Sequence, residues 1–232
     1  MPVVYLIPSV LHEEGYSSIP QSVGQAIRDC QVFFVENERT TRRFFKKIWK
    51  EMVIDDYEWQ TIHKAEEEVK GIFQQRIREN KNIGIVSEAG CPGIADPGQI
   101  LVSVAHELGA SVRPLVGPNS ILLALMASGM NGQQFRFNGY LPIEAAERAR
   151  ALQELESESA KKNYTQIFIE TPYRNNQLFE TILKTCKPNT RISVAAELNS
   201  PMEFIKTMTV SEWKKQVPDL HKKPSIFLLL AF

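Results

Sequence analysis

Short runs of consecutive apolar residues alternate along this chain with longer stretches in which apolar positions recur every three or four residues. The short runs read as buried strands and the long periodic stretches as amphipathic helices. Such alternation predicts β-α units built around mainly parallel sheet. In the first half the expected strands are VVYLIP (3–8), QVFFVE (31–36), NIGIVS (82–87) and ASVRPLVG (110–117). Helices are expected over 20–30, opened by Pro20, and over 38–49, 63–80, 98–109 and 118–130. Asp96 and Pro97 suit the N-cap and first-turn positions of the helix at 98–109.

Beyond residue 135 the pattern changes. FRFNGYLP (135–142) is a short extended run, followed by a polar, Ala- and Glu-rich helix over 143–162. Strands are expected over 164–172, 191–198 and 223–232, with a further one over 204–210, and helices over 174–186 and 210–218. The expected fold class is α/β, as two α/β domains. A boundary near residue 138 divides them into 1–138 and 139–232.

Composition narrows the function classes. The 232 residues include 43% hydrophobic and 23% charged positions, ordinary for a globular protein. Twenty-seven basic and 27 acidic residues cancel, so no global field draws the chain to nucleic acid or anionic membrane. Any nucleic-acid affinity must come from a local patch. Cys30, Cys91 and Cys186 are scattered, which fits a reducing compartment. No basic region precedes Pro8 and IFLLLAF is too short to span a bilayer, so a cytoplasmic protein with no membrane partner is expected. There is no G-x-G-x-x-G, no Gly-Lys-Ser/Thr phosphate loop and no G-x-S-x-G elbow. His12, His63, His106 and His221 have no metal-ligand spacing, so no metal is expected.

What remains is a set of loops at the carboxyl ends of expected strands, where open α/β sheets bind ligands. They are Pro8–Leu11, Glu88–Asp96 and Gly117–Ile121, with Glu170–Pro172 and Ala195–Glu197 in the second half. Any one of them would serve as an ordinary connection. The segment IVSEAGCPGIADPG (85–98), however, leaves a buried strand through three glycines and two prolines. Glycine lets backbone approach a ligand and proline fixes φ, so this loop is built to hold a shape.

IVSEAGCPGIADPG, GPNSILLALMASGM, FRFNGYLP, ETPYR and AAEL, in that order, resemble the tetrapyrrole methylase superfamily. Within it the chain is most similar to the bacterial small-subunit rRNA ribose 2′-O-methyltransferases. The resemblance implies an S-adenosylmethionine site in a cleft between two α/β domains. It places Gly90, Cys91, Pro92, Gly93 and Ile94 in the main cofactor loop, and Ser120 and Ile121 in a second cofactor segment. Pro8 and Leu11 match the first loop more loosely, and Ile169, Ala195 and Pro224 fall where the second domain closes over the cofactor. It also implies a homodimer and an rRNA or small-ribosomal-subunit partner.

The chain departs from the family on the substrate side. Ala-Glu-Asp-Thr-Arg becomes VENER, which keeps Glu36 and Arg39 but puts Asn37 for the acid. Ser-Asp-Ala-Gly-Thr becomes Ser87-Glu88-Ala89-Gly90-Cys91, and Ala-Arg-Glu-Leu-Thr-Lys becomes Ala195-Ala196-Glu197-Leu198-Asn199-Ser200. Glu36, Glu88 and Glu197 are the candidate general bases for a ribose hydroxyl, and Arg39 the candidate phosphate clamp. Surface or salt-bridge roles for these four stay open. So do a tetrapyrrole or other small-molecule acceptor and a non-catalytic cofactor- or RNA-binding homologue.

One further feature lies outside the resemblance. In RTTRRFFKKIWK (39–50) basic residues at 39, 42, 43, 46, 47 and 50 share a helical face, opposite Phe44, Phe45, Ile48 and Trp49. That face is either solvated or turned to a phosphate backbone. Its side chains are expected to point away from the strand-end loops.

Overall fold

The first apolar run pairs with a parallel neighbour on each side, which makes β1 (Val3–Ile7) an interior strand. The computed structural model describes residues 1–62 and 67–232. In it β1 joins β2 (Val32–Val35), β3 (Glu58–Thr61), β4 (Ile83–Val86) and β5 (Ser111–Pro114) in a sheet of order β3-β2-β4-β1-β5. Every ladder of this sheet is parallel. β2 and β4 are buried at all positions, as strands covered on both faces must be. Helices α1 (Gln21–Asp29) and α2 (Glu38–Ile48) cover one face around Ile7, Ile27, Phe33 and Phe45. Helices α3 (Glu67–Arg78) and α4 (Gln99–Glu107) cover the other around Phe34, Phe73, Ile85 and Leu101.

This topology decides where a ligand can enter. β1 leads into α1 on one face, while its neighbour β4 leads into α4 on the other. Adjacent strand ends thus send their chains in opposite directions, which opens a crevice at the carboxyl edge between them.

The second sheet differs from expectation. It is formed by β6 (Phe135–Tyr140), β7 (Thr165–Ile169), β8 (Arg191–Ala196), β9 (Phe204–Thr209) and β10 (Ser225–Leu230), in the order β6-β7-β10-β8-β9. Only the β6–β7 ladder is parallel; the other three are antiparallel. The chain returns from β8 to β9 through residues 197–203, too short a loop for the crossover that a parallel partner needs. Helices α5 (Ser120–Ser128), α6 (Ala145–Lys162), α7 (Asn175–Thr185) and α8 (Val210–Trp213) complete this half.

The compact units are Met1–Asn119 and Ser120–Phe232, so the boundary lies before the expected residue 138. The reason is α5, which packs against β8, β9 and β10. Its last residue accepts a hydrogen bond at the Ser128 carbonyl from Thr207 Oγ1, at 2.9 Å. Two other departures are local. β3 went unforeseen because it is an edge strand of mixed polarity, Glu-Trp-Gln-Thr. α8 stops after one turn, closed by a capping box between Thr209 and Glu212. Residues 63–66, the start of the helix expected from His63, lie outside the described residues.

In the second unit a buried carboxylate ties α6 to the start of β8. Glu156 accepts from the Lys187 backbone N–H at 2.8 Å and from the Thr190 hydroxyl at 2.5 Å. Glu156→Ala would leave both donors without an acceptor, and is expected to cost about 3 kcal/mol. Urea denaturation of the two proteins measures it, and Glu156→Gln, which keeps an acceptor oxygen, should lose less.

Candidate functional site

Three loops meet at the carboxyl edge of the first sheet. The loop after β1 and the loop after β4 form a two-way backbone bridge: Ser9 N–H donates to Gly90 O at 2.8 Å, and Gly90 N–H to Ser9 O at 3.2 Å. The loop after β5 locks onto the first, because a Cβ on Gly117 would stand 2.2 Å from Pro8 Cβ. No other residue fits there. The Cys91 thiol reaches the same loop, 3.4 Å from Pro118 O. Burial pushes that thiol up, against the lowering effect of a hydrogen bond with Asn119.

Within the loop after β4 the chain folds back on itself. Gly93 N–H donates to Pro97 O at 3.1 Å, and Ile94 N–H to Cys91 O at 3.3 Å. Gly93 has φ +75°, and the place where its Cβ would stand is open, with no atom within 4 Å. Pro92 is buried beneath, while Ile94 is half exposed. Pro8, Leu11, Gly90, Cys91, Pro92, Gly93 and Ile94 are thus gathered in one loop cluster. Leu11 contributes by contact, its Cδ2 lying 3.4 Å from the Cβ position of Gly90.

Carboxylates converge beside it. Glu36 Oε2 accepts from the Glu88 backbone N–H at 2.8 Å, and Asn37 Nδ2 donates to Glu88 Oε1 at 3.3 Å. Asn37 also caps α2, its side chain accepting from Thr40 N–H. Asp96 is the member that sequence reasoning missed. It was expected to cap α4, but Gly98 holds that position with no side-chain cap. Burial, with Glu36 and Glu88 nearby, instead pushes the Asp96 carboxyl up to about 6. Its only signal in the sequence was membership of a Gly- and Pro-rich loop.

The remaining expected residues belong to other elements. Arg39 is exposed in the first turn of α2. Ser120 and Ile121 open α5, in the second unit. There Ile169 and Ala195 face Ile226 from either side in the ladder, and Pro224 O accepts from Glu197 N–H at 2.9 Å. Ile169, Ala195 and Pro224 therefore share one end of the second sheet, with Glu197 next to them at φ +52°. Among the described residues no group of three His, Cys, Asp or Glu side chains is arranged to hold a metal.

The basic face of α2 is less uniform than its spacing suggests. Arg42 pairs with Glu38 and lies 5.0 Å from the Trp59 ring centre. Lys46 donates to Lys50 O and, at 2.9 Å, to Met52 O. Those two charges are committed within the chain, because the turn at 49–52 and the edge strand β3 close over that side of the helix.

Comparison with known proteins identifies the relatives of this arrangement. A family model described as Tetrapyrrole (Corrin/Porphyrin) Methylases matches residues 17–214. The Ribosomal RNA small subunit methyltransferase I of Vibrio cholerae is 28% identical over 235 residues, covering 99% of this chain and 77% of that protein. That of Micromonospora olivasterospora is 33% identical over 171 residues, covering 74% of this chain but 51% of its relative. The chain thus spans from half to three-quarters of the length of these two. Among solved structures, the methyltransferase CobJ shares the fold with a TM-score of 0.67 at 15% identity, covering 99% of this chain and 94% of that one. A uroporphyrin-III C-methyltransferase from Thermus thermophilus gives 0.57 at 14%, covering 99% and 92%.

The raised carboxyl of Asp96 has a consequence for stability. Its folded-state value of about 6 lies above the ordinary 3.8, so the native protein holds this proton more tightly than the unfolded chain. Stability therefore falls as pH rises across that interval, and the loss is complete above it. Two pKa units correspond to about 2.7 kcal/mol, which solvent around this half-buried group reduces to about 1 kcal/mol. Asp96→Asn is expected to unfold at higher denaturant than the parent at pH 7 to 8. The two curves should converge toward pH 4.

Proposed function

The chain belongs to the tetrapyrrole methylase family, and on that footing we propose that it methylates a ribose 2′-hydroxyl of small-subunit rRNA. The family's activity is S-adenosylmethionine-dependent methyl transfer. The observation that carries the acceptor is the likeness to the Vibrio cholerae rRNA methyltransferase, which runs over 99% of this chain.

The residues present fit such a methyl donor. The open position above Gly93 and the bare backbone of Gly90 form a cradle that a side chain would fill. Ile94 and Leu11 supply apolar surface beside it. The resemblance also assigns Ser120, Ile121, Ile169, Ala195 and Pro224 to the cofactor. When bound, S-adenosylmethionine supplies a methyl group that is already electrophilic. The chain's own task is then to place the acceptor and take its proton. A ribose hydroxyl attacks poorly while it keeps that proton, and a nearby carboxylate accepts it. Glu36, Glu88 and Asp96 form the group available for this. Asp96, with its value near 6, matches a base working close to neutral pH. Arg39 takes a phosphate of the same strand through its guanidinium fork, and Glu197 remains a candidate carboxylate by the resemblance alone.

Calorimetry should show S-adenosylmethionine binding that competes with its demethylated product. Mass mapping of 16S rRNA from cells with and without the protein should then show one ribose methyl that depends on it. Glu88→Gln should lower kcat about a hundredfold with cofactor affinity unchanged. The parent's rate should rise with pH and level off above about 6, where Asp96 is ionised. An rRNA map identical with and without the protein would refute the acceptor.

The reading includes a cytoplasmic homodimer, as in the resemblance. Light scattering at micromolar concentration should give twice the 26.4 kDa of the chain. A value of one chain mass would refute it.

A further inference from the structure

α2 carries two cations that the chain does not use. Arg43 and Lys47 are one turn apart on the same side of the helix, and both are exposed. Among the described residues neither has a carboxylate or carbonyl partner; Lys47 only approaches the Tyr16 ring, at 5.8 Å from its centre. Both line a cavity of about 340 Å³, of the size that small ligands occupy. Tyr16 forms part of its wall, half-buried with its ring 6.0 Å from that of Phe44. Ser9, Val10 and Leu11 of the loop after β1 also line it, with Glu88 and Ala89 of the loop after β4. The expectation that these charges point away from the strand-end loops is therefore wrong for Arg43 and Lys47. A loop–helix cavity brings them to the same space as Glu88.

We propose that this cavity is the subsite for one nucleotide of the RNA strand, with its phosphate held by Arg43 and Lys47 and its base or sugar against Tyr16. The inference rests on the rRNA reading and deepens it. Each element answers a part of a nucleotide. Two unpaired cations at helical spacing suit one phosphate, which releases bound counterion when neutralised. A half-buried aromatic ring gives a platform for an unstacked base, the usual way proteins hold single-stranded RNA. Glu88, which also lines the cavity, belongs to the group assigned to take the hydroxyl proton. A nucleotide in the cavity would therefore lie on the acceptor side of the cofactor loops.

The test compares the parent, the double variant Arg43→Gln/Lys47→Gln and a control, Arg150→Gln/Lys161→Gln, which removes two exposed cations from α6 in the second unit. Affinity for a single-stranded segment of 16S rRNA is measured across a salt series, with methylation kinetics and S-adenosylmethionine affinity alongside. The Arg43/Lys47 variant should raise KM and Kd for RNA about tenfold or more. Its log–log salt slope should flatten by about 0.7 per lost phosphate contact in single-stranded RNA. Cofactor affinity should stay at the parent value, and Arg43→Lys/Lys47→Arg should restore most of the loss. The control should behave as the parent. Equal RNA affinity and equal slopes in parent and variant would overturn the subsite while leaving the rRNA reading standing. A parallel loss of cofactor affinity would overturn it too, by showing that the cavity belongs to the cofactor site. A parent that neither binds nor methylates RNA would overturn both, and the rRNA map separates that case from the first.

Discussion

Pro8 touches Gly117 so closely that no side chain can stand between them, and the carboxyl edge of the first sheet is organised around that contact. β1 is flanked by β4 and β5, so the loops leaving these three strands begin side by side. Adjacency alone would leave three mobile connections. The Pro8–Gly117 contact, the Ser9–Gly90 bridge and the Cys91 thiol at Pro118 O turn them into one body. A site whose backbone is already fixed loses little entropy when a ligand arrives, which is where preorganised sites gain affinity. The open space at Gly93 has meaning only because its surroundings are held.

That rigidity also explains how carboxylates can gather at one place. Burial first, and the nearby Glu36 and Glu88 after it, hold the Asp96 carboxyl above its usual range. Asn37 eases the crowding. The pattern that the sequence resembles has an acid at this position, which would add another negative charge beside Glu88. An amide instead donates to Glu88 Oε1 while its oxygen still caps α2. Glu88, one methylene longer than the Asp of that pattern, has the reach to accept it. Two departures that looked like losses on the substrate side are thus coupled to each other.

Much of this was legible before any coordinates, and the misses share a cause. Nearly every strand and helix of both units was foreseen, because buried parallel strands and amphipathic helices write strong periodic signals. β3 was missed because an edge strand need not be apolar. The boundary was misplaced because α5 is apolar on most sides, and a period cannot say which sheet such a helix covers. The loop residues singled out in the first unit do lie in one cluster, since Gly and Pro mark shape. Asp96 was expected only as a helix cap, since its character comes from the burial and the carboxylates around it rather than from its neighbours in sequence. The same holds for the six cations on 39–50: spacing gave their face, but the carboxylate, carbonyl and ring partners around them decided which were spent.

Those partners leave a division of labour that net charge conceals. The chain is neutral overall, with 27 charges of each sign, yet charges of both signs line a single cavity. Glu88, Arg43 and Lys47 all line it, and among the described residues no ion pair joins them. Had they paired, the carboxylate would be a weaker base and the cations could not reach a phosphate. α2 avoids this by what it satisfies internally. Arg42 goes to Glu38 and Trp59, Lys46 goes to backbone carbonyls, and Glu88 is held back by Asn37 at the start of the helix. The helix thereby fixes the carboxylate at its first turn and presents unpaired cations farther along. Carboxylate and cations thus line one cavity without an ion pair between them.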